Sequence, residues 1–349
     1  MGRAPSRVDR YVASQLIAAL ITTICLATSS WAAGERQPAA QPGTITVGLD
    51  GSGDYRSIQE AVDAAGAGDT IIIKSGSYQE DVTIHSKDRL RLVGTGVDQV
   101  KILGRDRVGA FHIGKWPYGA TRIEISDVTI HEHGGLAMGM FNGRGVILNN
   151  VHIAGLLFGQ QVEDVRIERC AIGGSETTGV QFADSQAILV GNLIYGNDHG
   201  VTITGKSDVR LEYNVIRNNL YEGVVISDEA RAVLVNNTIV KNGGGLAFLG
   251  ASRSEVAGNI VGLNKVGFLV GPSSDARFSH NAVHNDEEDY VRAGTPNVPA
   301  PEMRAATDIG GEPGFVDSKL DDFRLRPDSA LVGVGRYPYL GALPPLDSR

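Results

Sequence analysis

From residue 164 onward the chain repeats about every 22 residues, a period that excludes most folds before any motif is read. Asn recurs at Asn192, Asn214, Asn237, Asn259 and Asn281, in steps of 22, 23, 22 and 22. Cys170 holds the same place one step earlier, and Val151 the one before. Two residues after each comes a branched apolar residue: Ile172, Ile194, Ile216, Ile239, Val261 and Val283. A second row places Gly ahead of an apolar–x–apolar run at Gly179, Gly200, Gly223, Gly245 and Gly267. A third row starts at Val165, Ala187, Val209, Ala232, Ser254 and Ala276.

Each period holds three short alternating runs and no stretch long enough for a helix. It is also too short for a helical crossover between parallel strands. Three strands per turn, stacked turn upon turn, give an all-β parallel β-helix. Equivalent Asn side chains then lie one rung apart, ~4.8 Å, and can hydrogen-bond up the stack. The Gly content fits this picture: 45 Gly with only 13 Pro and no G-x-y period excludes collagen and a disordered Pro/Gly tract. The Gly row is expected at turn corners that need positive φ or close backbone approach.

The ends of the chain follow a different pattern. Arg3, Arg7 and Arg10, an apolar run over residues 16–27 and the exit Ser30-Trp31-Ala32 have the order of a secretory signal, read as residues 1–32. The apolar run is too short to span a bilayer, which needs ~20 residues, and no other stretch approaches that length. The expectation is an exported, periplasmic or extracellular protein with no transmembrane segment in its mature chain. Cys25 leaves with the signal, so Cys170 has no partner for an internal disulfide. The net charge moves from −8 to about −10, a poor balance for binding nucleic acid. Residues 33–43 read as a polar linker and 44–285 as the β-helix. Ser57-Ile58-Gln59-Glu60 has capping-box spacing, and Ile58, Ala61, Val62 and Ala65 form one apolar helix face, so a short helix is expected as the N-terminal lid. Residues 286–349 read as a C-terminal loop and capping segment, with 322–327 packing across that end.

Three stretches carry a family likeness. Asp50-Gly51-Ser52-Gly53-Asp54-Tyr55, Ser57-Ile58-Gln59-Glu60-Ala61-Val62 and Gly68-Asp69-Thr70-Ile71-Ile72-Ile73 resemble the opening of the pectin methylesterase and pectate-lyase-like superfamily. The tail Glu312-Pro313-Gly314-Phe315-Val316-Asp317 with Asp322-Phe323-Arg324-Leu325 resembles the close of bacterial β-helix members. The resemblance covers nearly all of the mature chain. It implies a right-handed, single-stranded parallel β-helix and a polysaccharide or glycan as partner. The catalytic elements of the best-known members are missing. There is no Gln-Asp pair or Asp-Phe-Ile-Phe-Gly of a methylesterase, and no Trp-x-Asp-His or Arg-x-Pro-x-x-Arg of a pectate lyase. Gly196-Asn197-Asp198-His199-Gly200 only echoes the polygalacturonase elements.

Stacking turns alignment into proximity. Counting back from the corner Gly of successive coils gathers Glu176, Asp198, His199, Tyr221 and Glu222 into one surface cluster. A His beside a Glu is the arrangement of a general base with an orienting carboxylate. Carboxylates one or two rungs apart, ~5–10 Å, span the separations used by glycosidases. The bland alternative is that turn residues are polar because turns face water. The coil containing Ile153-Ala154-Gly155 lacks a turn, which predicts a notch between the Glu176 turn and a His131-Glu132-His133 turn below it.

Glu176, Asp198, His199 and Glu222 are therefore the catalytic candidates. Trp116 and Tyr118 are sugar-stacking candidates, with bulky loop anchors as the alternative. His131, Glu132, His133, Tyr221 and Lys265 complete the substrate-contacting set. Two His at i, i+2 with one carboxylate are a weak metal pattern, and no metal site is assigned. Calcium is the one cofactor left open, at residues 286–289, where a solvated acidic loop has the same composition. Two functions stay open: a polysaccharide lyase, hydrolase or epimerase, and a non-catalytic carbohydrate- or partner-binding β-helix of the cell envelope.

Overall fold

A computed structural model describes residues 42–105, 109–115 and 117–346. The signal and linker assignments, apart from residues 42 and 43, lie outside the described residues, as does Trp116. Three parallel sheets run the length of the solenoid. The first has 11 strands, from Thr44–Val47 to Asp275–Ser279, each paired in parallel with its equivalent in the next coil. The second stacks short strands such as Ala171–Gly173, Leu193–Tyr195 and Val215–Arg217. The third stacks Thr178–Ala183, His199–Thr204, Glu222–Ile226 and their successors. Parallel pairing in the third sheet continues past the last repeat to Glu288–Arg292.

Inward positions form unbroken apolar columns. Ile71, Leu92, Ile125, Leu148, Ile167 and Leu189 lie on successive rungs of the first sheet and are all buried. Alternation fixes this register, because a one-residue slip would turn every such side chain to solvent.

Both corners that flank the second sheet are built alike. A residue in left-handed conformation precedes the ladder residue: Arg169, Gly191, Tyr213, Asn236, Gly258 and His280 at the first corner, and Gly174, Gly196, Asn218, Lys241 and Leu263 at the second, with Asn285 the exception. Next comes the buried Asn, whose backbone N–H and Nδ2 both donate to the Oδ1 one coil up. Asn192 donates to Asn214 at 3.0 and 2.9 Å, and the ladder runs through Asn237, Asn259 and Asn281 to Asp308. A second ladder occupies the other corner: Asn197, Asn219, Asn242, Asn264 and Asn285, closed by Asp289.

The Gly row sits elsewhere than at the corners. Gly179, Gly200, Gly223, Gly245 and Gly267 lie within or against strands of the third sheet and lack positive φ. Close approach is their reason. A Cβ at Gly200 would collide with the Gly223 carbonyl and sit 2.7 Å from Ile216 Cγ2.

The lid helix spans Ile58–Ala64 and buries Ile58, Ala61 and Val62. Ser57 caps it as expected, but Glu80 supplies the stronger cap. Its buried carboxylate accepts from Ser57 Oγ at 2.6 Å, Ile58 N at 2.8 Å and Gln59 N at 3.1 Å. At the other end, the expectation that 322–327 crosses the end of the solenoid needs correction. Phe315, Phe323, Leu325 and Leu340 pack with Val215, Val240, Ile260 and Ala282 of the second sheet, so the segment runs along a flank. The outward side of that sheet is apolar at those positions, and the segment is what buries it.

Candidate functional site

Three of the five clustered residues meet at the start of the third sheet. His199 Nδ1 lies 3.1 Å from Glu222 Oε2, with both side chains about one-third exposed, at 34% and 30%. The contact is one of distance and not of alignment, since Nδ1 is buried without a directed hydrogen bond. The Tyr221 ring lies 5.2 Å from the imidazole at a tilt of 32° and is half-exposed. The carboxylate stands against the buried side of the ring, which leaves the remaining nitrogen to exchange a proton with a ligand.

Glu176 and Asp198 lie in an adjoining shallow groove of about 630 Å³ along the second corner. Leu220, Asn218 and Lys241 share its lining. The register differs by one residue from a count made back from Gly. Ser175, not Glu176, is level with Asn197, since its N–H donates to Asn197 Oδ1 at 3.0 Å, and Asn219 follows. The turns before Gly179 and Gly223 are one residue longer than those before Gly200 and Gly245. The extra length pushes out Leu220, which is 64% exposed, and Tyr221.

The missing turn is real: Thr129–Phe141 and His152–Gln160 each run unbroken through the second and third sheets. No His131-Glu132-His133 turn stands below it. His131 lies within the longer strand, paired with Leu103 and Ala154. Glu132 is buried against Gly104, with Oε2 lacking a hydrogen-bond partner, so it is not offered to a substrate. The side chain of His133 lies outside the described part of the structure. Lys265 is also separate from the cluster; it is exposed and pairs with Glu287 at 3.5 Å. The acidic run is dispersed too, because Asp289 closes the second Asn ladder while Glu288 enters a strand. Among the described residues, no group of three or more His, Cys, Asp and Glu is placed to hold a metal.

A second concavity, about 490 Å³, lies lower on the third sheet between Gln59, Thr83, His85, His112, Lys115 and Phe141. Tyr118 stands beside it, 63% exposed, its carbonyl accepting from Lys115 N at 2.6 Å. The outward row Thr83, His112, Gly139, Phe158, Gln181, Thr202 runs from this cleft to the rung of His199. His112 and Phe141 stack at 6.2 Å, and Phe141 meets Phe158 edge-on at 5.9 Å. These residues went unnoticed in the sequence because their coils lack the Asn ladder. The signal that finds them is alternation, every second residue of strands aligned in register.

A solenoid of parallel three-stranded coils with a polar ledge on one face defines a β-helix protein of the pectin-lyase-like architecture. The family model for the right-handed beta helix region matches residues 112–209 and 178–294, more than half of the chain, and the chain belongs to that family. The pectinesterase family model matches residues 44–136. A pectinesterase from Petunia integrifolia is 41% identical over 76 residues, which are 19% of this chain and 20% of that protein. Pectinesterase 2 from Citrus sinensis is 36% identical over 90 residues, 25% of this chain and 16% of that protein. The chain thus spans a fifth or less of the length of these curated relatives.

Among solved structures, the pectate lyase Pel9A superposes with a TM-score of 0.50 at 12% identity, covering 88% of this chain and 98% of that one. A mannuronan C-5 epimerase A-module from Azotobacter vinelandii gives 0.50 at 13% identity, covering 73% and 93%. At such identities the likeness is one of fold. These relatives and neighbours are β-helix enzymes of polysaccharides. Among the described residues, no helix is long and apolar enough to cross a membrane.

Proposed function

We propose that this protein is an exported enzyme acting on polysaccharide, of lyase, hydrolase or epimerase type, with His199 and Glu222 as its proton-transfer pair. The observation that carries this reading is the 3.1 Å approach of His199 Nδ1 to Glu222 Oε2 on a ledge where both remain accessible. Glu222 is the carboxylate adjacent to the ring, and Nε2 takes or returns the proton of a bound sugar or water. Tyr221 shapes one side of the ledge, and Glu176 and Asp198 accept hydrogen bonds from sugar hydroxyls along the groove. The similarity to polysaccharide enzymes supports the substrate class, and the signal-like first 32 residues support export.

The His112–Phe141–Phe158 face supports a second reading, a glycan-binding β-helix without turnover, because aromatic rings offer flat apolar surface to sugar faces. A product-resolved screen of the protein against a polysaccharide panel, with and without calcium, separates the two. New product that disappears in His199→Ala and Glu222→Gln establishes the enzyme. Retention without product, weakened by Tyr118→Ala or Phe158→Ala, establishes the binder. Unchanged turnover in both His199 and Glu222 variants removes the assigned pair.

A further inference from the structure

The C-terminal segment reaches the rim of the corner groove with one residue. Asp321 Oδ1 lies 2.7 Å from Lys241 Nζ, and its Oδ2 lies 2.7 Å from Arg217 Nη1. Asn218 Nδ2 approaches the same oxygen at 3.5 Å. Lys241 and Asn218 line the groove, so one carboxylate holds a lining cation and a second cation beside it. Aromatic rings fix both cations further: Lys241 lies over Phe323 at 5.4 Å, and Arg217 over Tyr195 at 5.5 Å. Asp321 itself stands in the left-handed conformation, φ 60°, at the end of the short 3-10 turn Ser318–Leu320.

The remaining charged side chains lining the groove are Glu176 and Asp198, with Glu222 on the adjoining ledge and the mutually neutralising pair Lys265–Glu287 one coil beyond Asn242. Among the described residues neither Glu176 nor Asp198 has a cationic partner, and Glu222 faces only His199. Glu176, Asp198, Glu222 and Asp321 therefore stand against Arg217 and Lys241, leaving an excess of two negative charges. Among the described residues lining the groove, Lys241 is the one cation and Asp321 holds it, so a sugar carboxylate entering here would meet like charge.

We propose that the groove accepts glycan whose bound sugars carry no carboxylate, and that Asp321 sets this preference by occupying the two cations a uronate would use. The inference rests on the polysaccharide reading and adds the charge class of the substrate.

The test uses glycans matched except at the carboxyl group, namely methyl-esterified against de-esterified homogalacturonan and carboxyl-reduced against native chondroitin, so that a preference common to both pairs reports charge. Retention of the full chain is measured by affinity electrophoresis at low and high salt. The expected result is preference for the uncharged member at low salt, narrowing as salt screens the field. Asp321→Asn should strengthen binding of the charged member by about three- to tenfold, the scale of one or two partly exposed ion pairs. Adding Arg217→Gln and Lys241→Gln to that variant should cancel the gain. A segment merely loosened by Asp321→Asn would weaken both members alike. As a variant that leaves the flank untouched, Glu176→Gln with Asp198→Asn should also favour the charged member. Asp208→Asn with Glu255→Gln, on the outer face of the first sheet, should not. Preference of the native protein for the charged member overturns this proposal and leaves the polysaccharide reading standing, as does an unchanged ratio in Asp321→Asn. Failure to retain any glycan in the wider panel removes the polysaccharide reading and this one with it.

Discussion

Asn237 Oδ1 accepts two hydrogen bonds from Asn214, from the backbone N–H at 3.0 Å and from Nδ2 at 2.9 Å. Asn237 Nδ2 in turn donates to Asn259 Oδ1 and to the Leu211 carbonyl, both at 2.9 Å. Both side chains are fully buried. One amide thus satisfies groups on three coils, in an interior where an unpaired polar group costs about 1–3 kcal/mol.

Asn237→Ala should therefore destabilise the protein by about 2–4 kcal/mol, because it orphans the Asn214 donors and the Leu211 carbonyl together. A urea titration checks this, provided unfolding is a single transition. A loss below about 0.5 kcal/mol would mean that water replaces the amide. The converse change is also informative. Cys170 begins this ladder with a poorer acceptor, its Sγ 3.4 Å from Val151 N. Cys170→Asn should extend the ladder by one rung and stabilise by about 1 kcal/mol.

Cys170 should be chemically silent in the folded protein. Burial pushes its thiol up to about 11, so almost no thiolate exists at neutral pH. Alkylation mapped to the Cys170 peptide by mass spectrometry should appear only in denaturant, along the same curve as unfolding. Rapid labelling in buffer would contradict its burial.

The lid helix should depend on a residue outside it. Glu80→Ala removes the acceptor of three donors at the helix start and should cost about 2–3 kcal/mol. Glu80→Gln keeps a carbonyl oxygen and should cost less. Proteolysis near residue 57, followed with time, distinguishes local opening of the lid from global loss. Equal protection in all three proteins would show that apolar packing alone holds the helix.

Asp321 should contribute to acid sensitivity. The hydrogen bond from Lys241, with the charges of Arg217 and Lys241, holds its carboxyl below the usual carboxylate range against the opposing effect of burial. A depressed folded value means that its contribution is complete above the unfolded value, ~3.9, and is lost as pH falls through the folded one. The stability gap between the native protein and Asp321→Asn should accordingly be widest above pH ~5 and shrink as pH falls below the unfolded value. Urea midpoints measured across that range check the sign. A gap that widens on acidification would contradict it.

His199→Ala and Glu222→Gln should lower turnover by about 10²–10⁴-fold, the usual contribution of a proton-transfer group. Stability should fall by less than about 1 kcal/mol in each, since both side chains are partly exposed and the contact is not an aligned hydrogen bond. A large loss of stability with intact specific activity would assign the pair a structural role.

The solenoid, its parallel pairing and the first Asn ladder were legible because each coil must present the same residue type at the same place to stack. The second ladder was partly hidden. Ser175 stands where its Asn row would begin, and the turns before Gly179 and Gly223 carry one extra residue, so a count from Gly misses it. The role of the Gly row was legible in part only. Composition shows that Gly is needed, but whether for positive φ or for lack of a Cβ depends on atoms of the next coil. At Gly200 those atoms belong to Gly223 and Ile216.

Periodicity along the chain determined by itself the fold, the inward columns and the one-coil proximity of His199 and Glu222, because stacking converts sequence spacing directly into distance. Contacts between residues with no periodic relation were decided only by tertiary structure. Glu80 reaches back to cap the lid, Glu132 turns inward against Gly104, and the C-terminal segment lays Asp321 on Lys241 and Arg217 along a flank. Such placements depend on where a non-repeating segment finds complementary apolar surface and charge. That surface exists only once the coils have stacked.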